Sequence, residues 1–111
     1  MTVFKAYDVR ATYPDPLTEE IALKIGLSTG RLLLAENDEK GAIVVGHDMR
    51  PSSLSLVAAL KEGILSSGAD VIDVGLVDTP FIAFAVNHLD AIGGIQTTAS
   101  HNPIQYNGFK I

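Results

Sequence analysis

The sequence predicts an α/β fold, a three-layer α/β/α sandwich around a mixed, mostly parallel sheet of about four strands, and three observations predict it. Short apolar runs rich in β-branched residues, at 42–46, 71–74 and 92–97, have the length and continuity of strands buried on both faces. Segments with apolar residues three or four apart, opened by capping residues, separate them. The two patterns alternate along the whole chain, which is the order expected of parallel strands joined by crossover helices.

A short N-terminal strand comes first, ended by the breaker Tyr13-Pro14-Asp15-Pro16. Thr18 then reads as the N-cap of a first helix, with Glu19 and Glu20 near the positive end of its dipole. Ile21, Ile25, Leu32 and Leu33 supply its apolar face, while Ala22, Gly26 and Gly30 recur every four residues and leave a narrow strip on which another backbone can lie close. After the strand at 42–46, Ser52 or Ser53 can cap a second helix in which Val57, Leu60 and Ile64 share a face and Gly68 marks the end. Residues 71–74 form the next strand. Thr79 and Pro80 suit N-cap and N1 of a third helix running through Phe81, Phe84 and Ala85 toward His88. The chain returns as a strand at 92–97, and 106–111 reads as a last strand whose tight connection permits an antiparallel run.

With 111 residues the chain fits one small domain that can bury about two thirds of its unfolded surface. A hydrophobic share of 47% against 19% charged residues excludes a disordered chain. The net charge of −5 and the absence of any basic run exclude nucleic acid and anionic membranes as partners, so an anionic ligand must be held by local groups. With no cysteine, disulfides and thiolate metal sites are excluded too. No apolar stretch has the length of a membrane span or the flanks of a signal peptide, which leads to the expectation of a cytoplasmic protein.

The hexapeptide Thr98-Ala99-Ser100-His101-Asn102-Pro103, followed by Tyr106-Asn107-Gly108-Phe109-Lys110, carries the chemistry. It places a hydroxyl in a polar loop beside an imidazole and an amide and shortly before a lysine. A serine hydroxyl becomes a useful nucleophile only where neighbours take its proton or stabilise the charge it acquires. The same residues also make an ordinary turn, with Asn102 and Pro103 as turn formers. His47 and His88 have no metal-ligand spacing and read as scaffold or surface residues. There is no Gly-x-x-x-x-Gly-Lys-Ser/Thr nucleotide loop.

This segment resembles the phosphoserine loop of the α-D-phosphohexomutases, the phosphomannomutase and phosphoglucomutase family. Three further segments, in the family's order, extend the resemblance over nearly the whole chain. Phe4-Lys5-Ala6-Tyr7-Asp8-Val9-Arg10 resembles the opening strand and its arginine, and Gly46-His47-Asp48-Met49-Arg50-Pro51-Ser52 resembles the Gly-x-Asp-x-Arg-x-Ser turn. Residues 68–76 with Thr79-Pro80 resemble the strand and helix start that lead toward the serine loop. The departure is Ala11, where the family commonly has glycine; if that position needs φ > 0, alanine strains it.

The resemblance implies that Ser100 is the phosphoserine, and that its phosphoryl group is one ligand of a Mg²⁺ ion whose other ligands this chain lacks. His101 could transfer a proton or stabilise charge, and Asn102 could orient the loop. Lys110 falls at the family's lysine, where an ammonium could neutralise phosphoryl oxygens or serve in proton transfer. Arg10 falls at the N-terminal arginine, whose guanidinium can grip a phosphoryl group with a forked pair of donors; the alternative is an ion pair with Asp8. Thr98 opens the loop. Asp48 and Arg50 could pair with each other or cap the second helix, and a structural role in support of the serine loop is favoured for them.

The function so implied is interconversion of hexose 1-phosphate and hexose 6-phosphate through a bisphosphate intermediate, with glucose 1,6-bisphosphate or a related bisphosphate as activator. The chain is then expected to be domain I, residues 1–111, of a longer multidomain enzyme, inactive alone, with a phosphosugar substrate and the remaining domains as its partners. The rivals are a phosphoglucosamine mutase domain and a non-catalytic phosphate-binding or assembly module.

Overall fold

The computed structural model describes residues 8–12, 18–50, 53–98 and 106–110, the first and last of these as backbone only. Its elements run β1 (Asp8–Thr12), α1 (Glu19–Ala35), β2 (Ala42–His47), α2 (Ser53–Ser67), β3 (Asp70–Leu76), α3 (Thr79–His88), β4 (Gly93–Thr97) and β5 (Tyr106–Lys110). The strands form one sheet in the order β1-β5-β4-β2-β3. β2 lies between β3 and β4 and is parallel to both, whereas β5 is antiparallel to its neighbours β4 and β1. The sheet therefore has five strands instead of about four. The last segment joins it as an antiparallel insert between β4 and β1, so β1 runs in the same direction as β4.

Strand β2 divides the core because successive side chains point to opposite faces. Ile43 and Val45 meet Leu56, Leu60 and Ile64 of α2 and Ala22 and Leu34 of α1 on one side, together with Ile95 of β4. Val44 meets Ile82 and Ala85 of α3 on the other, with Ile72 and Val74 of β3 packed against them. Helices thus cover both faces, giving the three layers.

The small-residue strip of α1 is used as expected. A Cβ built on Gly26 would fall on the Leu60 carbonyl oxygen, and one built on Gly63 would fall on the Leu23 carbonyl, so α1 and α2 touch backbone to backbone. This contact also corrects the expected apolar face. The residues that α1 buries are Ala22, Gly26, Thr29, Gly30 and Leu34, while Ile25 and Leu33 only flank the core and Ile21 remains 37% exposed. Close approach on small residues leaves no room for a broad aliphatic stripe.

Local chemistry sets the helix starts. Thr18 caps α1, its Oγ1 accepting the Ile21 N–H at 3.2 Å. The cap of α3 is Asp78 and not Thr79: its Oδ1 accepts the Phe81 N–H at 3.1 Å, which shifts Thr79 and Pro80 one position into the helix. A carboxylate at the positive end of the helix is at least as good a cap as threonine. Ser53 is the first residue of α2 and its hydroxyl is directed elsewhere, to Asp48; Ser52 lies outside the described residues. Gly68, with φ +103°, ends α2 as the sequence indicates. In β3 a register shift opposite Val45/Gly46 is accommodated by Gly75 at φ +80°, whose N–H is taken by Asp73 Oδ1 at 2.8 Å.

Candidate active site

The strand register brings the family-like motifs to one edge of the sheet. Val9, Phe109, Thr97, His47 and Leu76 stand in one row across β1, β5, β4, β2 and β3. Arg10, paired with Gly108, stands one step further toward the carboxyl ends of the parallel strands, at the level where Thr98 follows β4 and Asp48 follows β2. Lys110 stands one row inside, between Asp8 and Gln96. In open α/β sheets ligands bind beyond these carboxyl ends. The edge is also where the strands turn polar. Ile43, Val45 and Ile95 fill the core, but His47 and Thr97 follow them, and among the described residues the buried His47 Nδ1 and Thr97 Oγ1 have no hydrogen-bond partner.

Asp48 organises this edge. Its Oδ1 accepts the Arg50 amide at 3.1 Å and the Ser53 hydroxyl at 3.0 Å; its Oδ2 accepts the Arg50 Nε at 3.0 Å and the Thr98 hydroxyl at 2.6 Å. Four donors saturate the acceptor sites of one carboxylate. Three of them come from the turn and the start of α2, and the fourth crosses from the residue after β4, 50 residues along the chain. The Asp48 N–H in turn donates to the Thr97 carbonyl at 3.1 Å, extending the β2–β4 ladder by one rung. Burial pushes the Asp48 carboxyl up, but the hydrogen bonds from Thr98, the Arg50 amide, Ser53 and the Arg50 guanidinium outweigh it and hold the group below the ordinary aspartate value of 3.8. Arg50 and Thr98 are each only 6% exposed, while the Asp48 side chain between them is half-buried.

The structure therefore joins three of the sequence-selected residues, Asp48, Arg50 and Thr98, in one network. Asp48 and Arg50 pair at 3.0 Å, and the same carboxylate also binds Ser53 at the start of α2 and Thr98 just after β4. Ser100, His101 and Asn102 lie outside the described residues. For Arg10 and Lys110 the backbone positions are those given by the register, and the strand carrying Ala11 is paired with β5 through Asn107. His88 stacks on Phe84 on the exposed side of α3, at 5.4 Å between ring centroids, a surface role as expected. Two further contributors are not marked by sequence as partners of Asp48, the Ser53 hydroxyl and the Thr97 carbonyl; the Gly-x-Asp-x-Arg spacing signals that a carboxylate is present but not which distant groups it holds.

No described helix is long and apolar enough to cross a membrane. Among the described residues, no three His, Asp or Glu side chains are grouped to hold a metal ion.

Comparison with known proteins supplies the context. The family model described as phosphoglucomutase/phosphomannomutase, alpha/beta/alpha domain I, matches residues 1–111. A phosphoglucomutase/phosphomannomutase of Thermococcus kodakarensis is 49% identical over 98% of this chain and 24% of its own length. A probable phosphoglucosamine mutase of Pyrococcus abyssi is 44% identical over 97% of this chain and 23% of its own. The crystal structure of a putative phosphomannomutase from Thermus thermophilus superposes with a TM-score of 0.86 at 37% identity, covering 96% of this chain and 24% of that one. The chain spans about a quarter of the length of these relatives. Matched along its whole length and sharing the fold of a solved relative, the chain belongs to the phosphoglucomutase/phosphomannomutase family, in the part described as its alpha/beta/alpha domain I.

Proposed function

We propose that this chain supplies the phosphoryl-carrying loop of a hexose-phosphate mutase, an isomerase that interconverts hexose 1-phosphate and hexose 6-phosphate by intramolecular phosphotransfer. The observation that supports this most is the hydrogen bond from Thr98, two residues before Ser100 in sequence, to Asp48 at 2.6 Å, at the carboxyl edge of the sheet and level with the Arg10 backbone. In the forward half-reaction the bond between Ser100 Oγ and phosphorus breaks and a sugar hydroxyl forms the new one. His101 takes the proton of that hydroxyl, and the freed Ser100 Oγ takes up a proton as it leaves. The resulting bisphosphate turns over in the site, and its other phosphoryl group returns to Ser100 Oγ while the sugar oxygen it leaves is reprotonated. Arg10 and Lys110 neutralise the phosphoryl oxygens as charge spreads over them. Asn102 orients the loop.

Glucose 1,6-bisphosphate primes the cycle by leaving one phosphoryl group on Ser100. Mg²⁺ belongs to the expectation from resemblance and would supply charge neutralisation at a phosphorylated Ser100. The described residues do not form a ligand set for it. The reading places the reaction in the cytoplasm, where charge retains phosphorylated sugars.

We infer a sugar of the mannose and glucose branch, because the opening residues 4–8 and the 48–53 turn resemble that branch more than the phosphoglucosamine one. A coupled assay of the gene product that carries this chain, with mannose 1-phosphate, glucose 1-phosphate and glucosamine 6-phosphate, tests the proposal. Turnover of the first two above the third is expected. Preference for glucosamine 6-phosphate would move the assignment to the phosphoglucosamine branch, and binding of phosphosugars without turnover would favour a binding module.

A further inference from the structure

The proposed function needs Ser100 held in a reproducible place, and residues 98 and 48 form a device that can do this. Thr98 and the residue before it are both tied to Asp48. The Thr98 side chain donates to Asp48 Oδ2 at 2.6 Å, in the range of a charge-assisted hydroxyl–carboxylate bond, and the residue before it accepts the Asp48 N–H at 3.1 Å. Side-chain and backbone contacts to one residue constrain both position and orientation. The partner is itself rigid, because Arg50 and Ser53 hold the same carboxylate from the turn and from the start of α2. Two residues of chain span at most about 7 Å, so fixing Thr98 bounds where Ser100 can stand.

The geometry points to Asp48 and Thr98 as a latch that positions the Ser100 loop for phosphoryl transfer, a role that rests on the mutase reading and specifies how its nucleophile is aimed. A hydroxyl 2.6 Å from a carboxylate also has the look of a nucleophile beside its base, and that assignment is rejected on two counts. Thr98 is 6% exposed, which denies it an in-line approach to a substrate. Asp48 is held below the ordinary aspartate range, which makes it a poor proton acceptor. Thr98 is a positioning residue, and the hydroxyl matters for its hydrogen and not for its reactivity.

The test uses Thr98→Val, which removes the donor at nearly constant volume, and Thr98→Ser, which restores it. Two readouts are taken on the whole gene product: steady-state kinetics, and hydrogen exchange of the amides at 99–102. The latch predicts that Thr98→Val lowers kcat about 10- to 100-fold with KM little changed, as a small misplacement does. It also predicts faster exchange at 99–102, while Thr98→Ser stays within about threefold of wild type in both. Unchanged kcat and unchanged exchange in Thr98→Val would overturn the latch, as would a Thr98→Ser variant as impaired as the valine. Phosphate appearing on Thr98 in place of Ser100 would also overturn it. The exchange measurement needs no mutase activity: faster exchange in Thr98→Val with an inactive wild type would sustain the latch and sink the function, whereas an active wild type with unaltered exchange would do the reverse.

Discussion

Asp48 concentrates what single residues contribute at this edge. A carboxylate that accepts four hydrogen bonds, two of them from the side chain and amide of Arg50, loses all of them when truncated, while its donors remain partly buried. Asp48→Ala should destabilise the domain by about 1.5–3 kcal/mol, measured by urea unfolding. The sign of the pH dependence follows from the lowered folded pKa. The contribution of Asp48 is complete above the ordinary value of 3.8 and is lost as pH falls through the lower folded value. Urea midpoints of wild type and Asp48→Asn, followed from about pH 6 to about pH 2, should therefore differ at the upper end and converge at the lower. A gap that stays constant would show that the charge of Asp48 is not what the network uses. The pair Asp48 and Arg50 was legible in the sequence as a turn motif; Thr98 as their partner was not, because nothing in local spacing encodes a contact across 50 residues.

Among the elements, the helix pair α1 and α2 shows how glycine spacing becomes packing. Gly26 and Gly63 each face a backbone carbonyl of the other helix, so an added methyl group meets atoms that cannot rotate away. Gly26→Ala would gain about 1 kcal/mol in helix propensity in isolation. Overpacking should reverse the sign and leave the domain less stable by about 1–3 kcal/mol, checked by thermal unfolding. The repeat of Ala22, Gly26 and Gly30 was readable because a four-residue period of small residues has one physical use. The burial of Thr29 and Leu34 while Ile21 stays exposed was not, since amphipathic counting assumes a partner at ordinary distance. The same limit explains α3: Asp78 and Thr79 both carry cap chemistry in adjacent positions, and only the geometry of the loop after β3 decides that Asp78 reaches the Phe81 N–H. Asp78→Ala should cost about 1 kcal/mol, more than Thr79→Ala.

On the scale of the whole molecule, sheet order turns scattered motifs into one edge. The alternation of strands and helices made the parallel core legible, but insertion of β5 between β4 and β1 depends on pairing energies that no local pattern reports. That insertion is what sets Arg10 level with Thr98 and Asp48. Arg10→Ala and Lys110→Ala should therefore lower turnover about 100-fold or more through lost transition-state charge stabilisation, while unfolding midpoints shift by less than about 1 kcal/mol. Loss of activity that tracked loss of folded protein would assign both residues to the scaffold. The 111-residue chain alone should fold yet show no mutase turnover and little phosphosugar affinity, by coupled assay and calorimetry.

Whether Ser100 carries the phosphoryl group is decided by peptide mass spectrometry after incubation of the gene product with glucose 1,6-bisphosphate. Phosphate is expected on Ser100 and none on Thr98, with turnover abolished in Ser100→Ala; phosphate confined to another residue, or full activity in that variant, would rule the assignment out.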